Sequence, residues 1–326
     1  MINSLKKSVI HLEGSANSEN LFDVIASKAR PDGSIDQDAV QQRLLQTQGS
    51  IRATGTATFL RHGGLRYLLT ARHVVHDKWE AKREIERAKK QADEVQLQWA
   101  YDELTRTLEG AKYYIFHKIF RVPSLDEIVK SGGHRTIPFI MNLGAGSKTN
   151  GRHSFSSPEL DLAIISLDAF DRSFGDDLEQ SGYIPIDSSA LNDVPLSEGD
   201  EIATIGFPEV TSHLDFSGPE LNWGSNKVSL PVCSFGRVSM LSEHLDFFWA
   251  DMSIYPGNSG GPVFSGENIV GLVSANATIP IEDSHSSTST SKQYRTRIPF
   301  AKIIKTSFVK ALIAEQEEKD QRILRS

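Results

Sequence analysis

Along most of the chain the apolar positions come in short runs rather than in helical stripes. "IRATGTATFL", "LRYLLTARHVV", "DLAIISL", "EIATIGF", "FGRVSML", "FFWADMSI", "GPVF" and "NIVGLVSANA" are rich in β-branched and aromatic residues, with Gly, Pro, Asn and Asp between them. Runs of this length and spacing predict antiparallel strands in a barrel or sandwich, because alternating βαβα units would place long helices between them. Two segments break the rhythm. Over residues 78–112, Ile85, Ala88, Ala92, Val95 and Trp99 recur at intervals of three and four among charges of both signs, which predicts an inserted amphipathic helix. It either packs on the strands or serves as a docking arm for a regulatory protein partner. In "FAKIIKTSFVKALIAEQEEKD", Ile303, Ile304, Phe308, Ala311 and Leu312 predict the apolar face of a docked C-terminal helix that then frays into charge. "SIDQDAVQQRLLQTQ" reads as a short helix after the turn at "RPDG", and "IEDSHSSTSTSK" as a mobile loop with almost nothing to bury. There is no repeat of fixed period and no long linker.

Composition narrows the function classes. The 326 residues suffice for a sizeable core, and 39% apolar with 24% charged positions is ordinary for a globular protein. A formal net charge of −7 argues against a polyanion surface, so nucleic acid is not an expected partner. The single cysteine, Cys233, has no internal disulfide partner and suits a reducing compartment. The N-terminal "SVIHL" is too short for a secretory core, and no run reaches the about 18 apolar residues of a membrane helix. The expectation is a cytoplasmic protein without membrane contact.

The chemistry concentrates in "YPGNSGGPVF", three glycines and two prolines around Ser259. Glycine permits backbone angles that other residues resist, so this turn is able to aim the N–H groups of Gly257 and Ser259 at one point beside the hydroxyl, an oxyanion hole. In isolation the same run also fits a tight hairpin. A serine nucleophile needs a base held by a third group. His73 follows the "YLLTA" strand directly, and Asp161 opens the buried strand "DLAIISL", where a carboxylate requires a partner to offset its burial. A competing reading takes His73, His76 and Asp77 in "HVVHD" as metal ligands, but the spacing matches no strong zinc pattern. "PDGSIDQD" lacks the spacing and the closing glutamate of a calcium loop and reads as a turn and helix cap. No cofactor and no metal is implied.

"TARHVV", "DLAII" and "PGNSGGPVF", in the order His, Asp, Ser, resemble the three motifs of the chymotrypsin-fold (trypsin-like) serine proteases. "GDEIATIGFP", "PGNSGGP" and "NIVGLVS" most resemble the Deg or high-temperature-requirement branch, with no PDZ-like tail after the core. The resemblance implies an all-β fold of two six-stranded antiparallel barrels, carrying here the inserted helix and the C-terminal helix. It divides the chain into an N-terminal extension (1–50), a first barrel (51–180), a second barrel (181–300) and a closing helix and tail (301–326). It implies a serine endopeptidase acting on protein or peptide substrates, with His73 as general base, Asp161 as its orienting carboxylate, Ser259 as nucleophile and the Gly257 and Ser259 amides as oxyanion donors. A catalytically silent or partner-activated peptide binder is the alternative. Ser274 matches the family serine that hydrogen-bonds the aspartate. Arg72 stands where the family has a small residue, and Asn258 where digestive members carry an aspartate. Ser253 occupies the position of the aspartate that selects Lys or Arg, so cleavage after a basic residue is not expected. Ser253, Ile254, Ser274, Ala275 and Asn276 then outline a modest substrate pocket, apolar unless Arg295 or Arg297 points inward to favour an acidic residue.

Overall fold

The computed structural model describes residues 2–15, 36, 39, 51–76, 151–170, 172–192, 195–209, 213–215, 227–281 and 294–325. The expected helix at 78–112 and most of the Ser/Thr-rich loop lie outside them, as does the 34–48 helix apart from Asp36 and Ala39. Ala39 N–H donates to Asp36 Oδ1 at 2.9 Å, the bond of a helix N-cap.

Strands β1 (Val9–Ser15), β2 (Ile51–His62), β3 (Leu65–Ala71), β4 (His153–Phe155), β5 (Leu162–Ser166) and β6 (Ile186–Asp187) form a six-stranded sheet of order β1-β2-β3-β5-β4, with β6 beside β2. The β2–β3 hairpin turns on Gly63 and Gly64, whose φ values of 57° and 83° suit a two-residue turn that follows the strand twist. The extension contributes β1, whose Val9 and Ile10 are fully buried against β2. Among the described residues this sheet does not close, so the expected first barrel is seen as an open six-stranded sheet.

The second unit does close. Strand β7 (Glu201–Gly206) is followed by a small ribbon of β8 (His213–Asp215) and β9 (Lys227–Ser229), and then by β10 (Val232–Met240), β11 (Phe247–Met252), β12 (Pro262–Ser265), β13 (Asn268–Ile281) and β14 (Tyr294–Lys305). The ring runs β10-β11-β14-β13-β12-β7.

Strand alternation sorts the apolar residues into three layers. Leu68, Phe59, Ala163 and Ile165 face the inside of the first sheet, while Phe248, Val263, Val273 and Ile303 fill the barrel. Between them, Tyr67, Leu69, Leu162 and Ile164 meet Ile205, Phe207, Leu272 and Ile304 in a shared core. This shared core holds the two units in register, and the functional residues stand at its margin.

The C-terminal helix spans Thr306–Arg325, and two features differ from the sequence reading. Ile303 and Ile304 belong to β14, paired with Phe248 and Phe247 of β11. A central strand buried on both faces is apolar at consecutive positions, and such a short run is indistinguishable from helix by periodicity. The helix therefore buries Val309, Leu312 and Ile313, and leaves Phe308 and Ala311 on the surface. Its charged stretch is helical to Arg325 rather than frayed, and it is bolted down at residues 316–320. Gln316 Nε2 donates to Gly151 O (3.1 Å) and to Asp320 Oδ1 (2.8 Å), its Oε1 accepts from Ser154 Oγ (2.9 Å), and Lys319 Nζ donates to His153 O (3.2 Å). Burial pushes the Asp320 carboxyl above its ordinary range. Among the described residues no helix is long and apolar enough to cross a membrane.

Candidate active site

Strand β3 ends at Ala71 and passes straight into a one-turn helix, Arg72–Val75. Val74 and Val75 are buried in the first-sheet core, which turns His73 outward to the cleft side, with about half its side chain exposed. Asp161 precedes β5 with φ 56°, a left-handed conformation that Asp tolerates better than most residues. A clasp around it fixes that geometry: Asp161 N donates to Ser157 O (2.9 Å), Arg72 N to Asp161 O (3.0 Å), and Leu162 N to Ser156 Oγ (2.7 Å).

The Asp161 carboxylate so placed accepts from three donors. His73 N donates to Oδ1 at 2.9 Å, while His73 Nδ1 and Ser274 Oγ both donate to Oδ2 at 2.8 Å. An ionised carboxylate only accepts, so the imidazole proton resides on Nδ1 and the Nε2 lone pair is left available. Ser259 lines the same cleft as His73. Its hydroxyl donates to Ser274 O at 3.2 Å and makes no hydrogen bond to His73 in this structure.

The glycine turn is held by its carbonyls. Pro256 O accepts from Glu209 N (2.8 Å), Gly257 O from Thr56 Oγ1 (2.7 Å), and Asn258 O from Gly261 N (2.9 Å). In a trans peptide the N–H points opposite to the C=O. Anchoring Pro256 O and Asn258 O therefore turns the Gly257 and Ser259 N–H groups the other way, and neither makes a backbone hydrogen bond among the described residues. Gly257 has φ 97°, and a Cβ there would lie 2.0 Å from Phe207 O; Gly260, at φ 84°, would press its Cβ to 2.1 Å from Thr56 O. Only glycine fits either position.

The cleft, about 460 Å³, is lined by Ile254, Ser274, Ala275 and Asn276, as sequence suggests, and Asn276 Nδ2 ties its walls together by donating to Ile254 O at 3.0 Å. Ser253 is exposed and not on the cleft wall, whereas Arg297 is on it; the Arg295 side chain lies outside the description. Arg72 packs away from the cleft: its guanidinium donates to Ser156 O at 3.1 Å and lies 5.9 Å from the Phe155 ring centre, and burial lowers its pKa. His76 stacks edge-on to Phe155 at 5.8 Å, and Asp77 is outside the described residues. Cys233 is a half-buried thiol whose pKa burial raises.

Sequence reasoning missed Thr56, Thr70 and Glu209. Thr56 N donates to Ser259 O (2.8 Å), its hydroxyl accepts from Phe207 N (3.1 Å), and Thr70 Oγ1 in turn donates to Thr56 O (2.6 Å). Both threonines are fully buried, so "TGTATF" and "YLLTA" each carry a polar side chain into the core, the one signal that was available. Thr56→Val keeps the shape but strips a donor from Gly257 O and an acceptor from Phe207 N–H. We expect a loss of about 1–3 kcal/mol in denaturant unfolding and a fall in turnover of about tenfold as the glycine turn loosens, read as a smaller effect than loss of a whole oxyanion donor.

A closed barrel and a second sheet packed face to face, with a serine on a glycine turn and an imidazole on a carboxylate at their junction, define a protein of the trypsin-like class. Residues 55–272 match the family model of the trypsin-like peptidase domain, and the chain belongs to that family. No curated protein sequence matches it. Among solved structures, the crystal structure of the Rv3671c protease in its inactive form is similar over 96% of this chain and 91% of that one, at 10% identity and a TM-score of 0.41.

Proposed function

We propose that the protein is a serine endopeptidase that hydrolyses peptide bonds through an acyl-enzyme on Ser259. The observation that supports this best is the His73 Nδ1 to Asp161 Oδ2 bond of 2.8 Å, which leaves Nε2 free in the cleft that Ser259 shares. In the reaction the Ser259 hydroxyl turns from Ser274 O to His73 Nε2 and attacks the substrate carbonyl carbon as Nε2 takes its proton. The negative charge that develops on the carbonyl oxygen is met by the Gly257 and Ser259 amides, whose carbonyl anchors fix them before reaction. Asp161 stabilises the imidazolium. His73 then hands the proton to the leaving amine, the C–N bond breaks, and the ester on Ser259 remains. Water, deprotonated by His73, attacks that ester; the acid product leaves and Ser259 recovers its proton.

One observation favours a second reading, a latent protease-fold binder that a partner activates: the Ser259 hydroxyl rests on Ser274 O. A fluorophosphonate probe separates the two. On our reading the purified wild type is labelled on Ser259 and cuts a proteome-derived peptide library without any added protein. If the wild type stays unlabelled until another protein is supplied, the latent reading replaces ours.

A further inference from the structure

The charges of the cleft are unevenly placed, and from this we infer that the enzyme selects segments with opposite charges on the two sides of the cut bond. An acidic side chain lies along Ser274–Thr278 and a basic one lies beside Thr54. This inference rests on the serine-peptidase reading of the same cleft.

Ser259 sits between two strands. On one side its hydroxyl reaches Ser274 O of β13 at 3.2 Å; on the other its carbonyl accepts from Thr56 N of β2 at 2.8 Å. Going outward along β13, Thr278 pairs with Arg297 of β14, and the Arg297 side chain is exposed on the cleft wall. Going outward along β2, Thr54 donates through its hydroxyl to the carboxylate of Glu209, also exposed on the wall. Among the described lining residues Arg297 is the one fixed cation and Glu209 the one carboxylate, and no ion pair among the described residues neutralises either. Asn276, on the same wall, donates to Ile254 O at 3.0 Å and ties β13 to the segment before the glycine turn.

The backbone provides the track. From Asn268 to Leu272 β13 pairs with β12, and from Gly271 onward with β14; beyond Val273 it pairs with β14 alone among the described residues. At Ala275 and Asn276 no described strand pairs with its other edge, which suits the addition of an extended peptide there. Strand residues advance about 3.3 Å each, so an added strand meets Arg297 about two to four residues from the cut bond. A guanidinium reached from Ser259 along β13 and a carboxylate reached from it along β2 impose a charge direction on a segment that runs between them.

The test is a mass-spectrometric cleavage profile on a proteome-derived peptide library, with wild type, Arg297→Gln, Arg297→Glu, Glu209→Gln and Glu209→Lys. In wild type we expect acidic residues enriched about three- to fivefold on one side of the cut and basic residues on the other, the size of an exposed ion pair, and weaker at raised salt. Arg297→Gln removes the acidic enrichment and Arg297→Glu turns it basic; Glu209→Gln and Glu209→Lys do the same, with signs exchanged, on the opposite side. Fluorophosphonate labelling counts the competent sites in each sample. Labelled wild type with no charge asymmetry, or an asymmetry that Arg297→Glu leaves unchanged, overturns this inference and spares the mechanism. Unlabelled, inert wild type overturns the mechanism and this inference with it.

Discussion

Ser259→Ala is expected to lower kcat by about 10⁴-fold or more, the scale at which removal of a nucleophile acts in a triad of this kind. The proposed acyl-enzyme forms on this oxygen, and the other serine of the cleft, Ser274, is committed to Asp161 through its hydroxyl. The fold is expected to survive. Among the described residues the Ser259 side chain makes a single hydrogen bond, to Ser274 O at 3.2 Å, and the turn around it is held by backbone bonds and by Thr56. Losing one such bond costs about 1 kcal/mol or less. Circular dichroism and thermal melting should therefore overlay with wild type while fluorophosphonate labelling disappears. Undiminished casein cleavage by the alanine variant would end the nucleophile assignment.

What made this arrangement legible is that each part announces itself by a local requirement. A triple-glycine turn is poor packing material, a histidine directly after a buried strand is placed for a reason, and a carboxylate at the mouth of "LAIIS" demands donors, which His73 and Ser274 supply. What stayed hidden depends on partners distant in sequence. Glu209 gains its place from Thr54 and Pro256, and neither contact leaves a trace in the surrounding residues. The strand at Val9–Ser15 is recognisable only once β2 offers it an edge. "FAKIIK" reads as helix because β14 is buried on both sides, and the helix after it is fixed by buried Gln316, Lys319 and Asp320, residue types that a sequence assigns to solvent. The orientation of the Ser259 hydroxyl is a matter of one side-chain torsion, which no sequence pattern encodes.

Asp161→Asn is expected to cost about 10⁴-fold in kcat as well, for a different reason and with a different signature. All three donors on this side chain, His73 N, His73 Nδ1–H and Ser274 Oγ–H, require acceptors. An amide supplies one acceptor oxygen and one NH₂ in their place. With the oxygen kept toward the His73 backbone N–H, the NH₂ faces Nδ1, which must then give up its proton to become an acceptor. The ring proton moves to Nε2, the atom that has to receive the proton of Ser259, and general-base catalysis stops. The backbone is not the cause, because Asn occupies the left-handed region at φ 56° as readily as Asp, so the melting temperature should shift little. Nitrogen chemical shifts of the His73 ring then distinguish the tautomers directly: protonated Nδ1 in wild type, protonated Nε2 in the variant. Because the serine remains, slow fluorophosphonate labelling persists where Ser259→Ala shows none. A variant within tenfold of wild-type kcat, with its Nδ1 still protonated, would remove Asp161 from the mechanism.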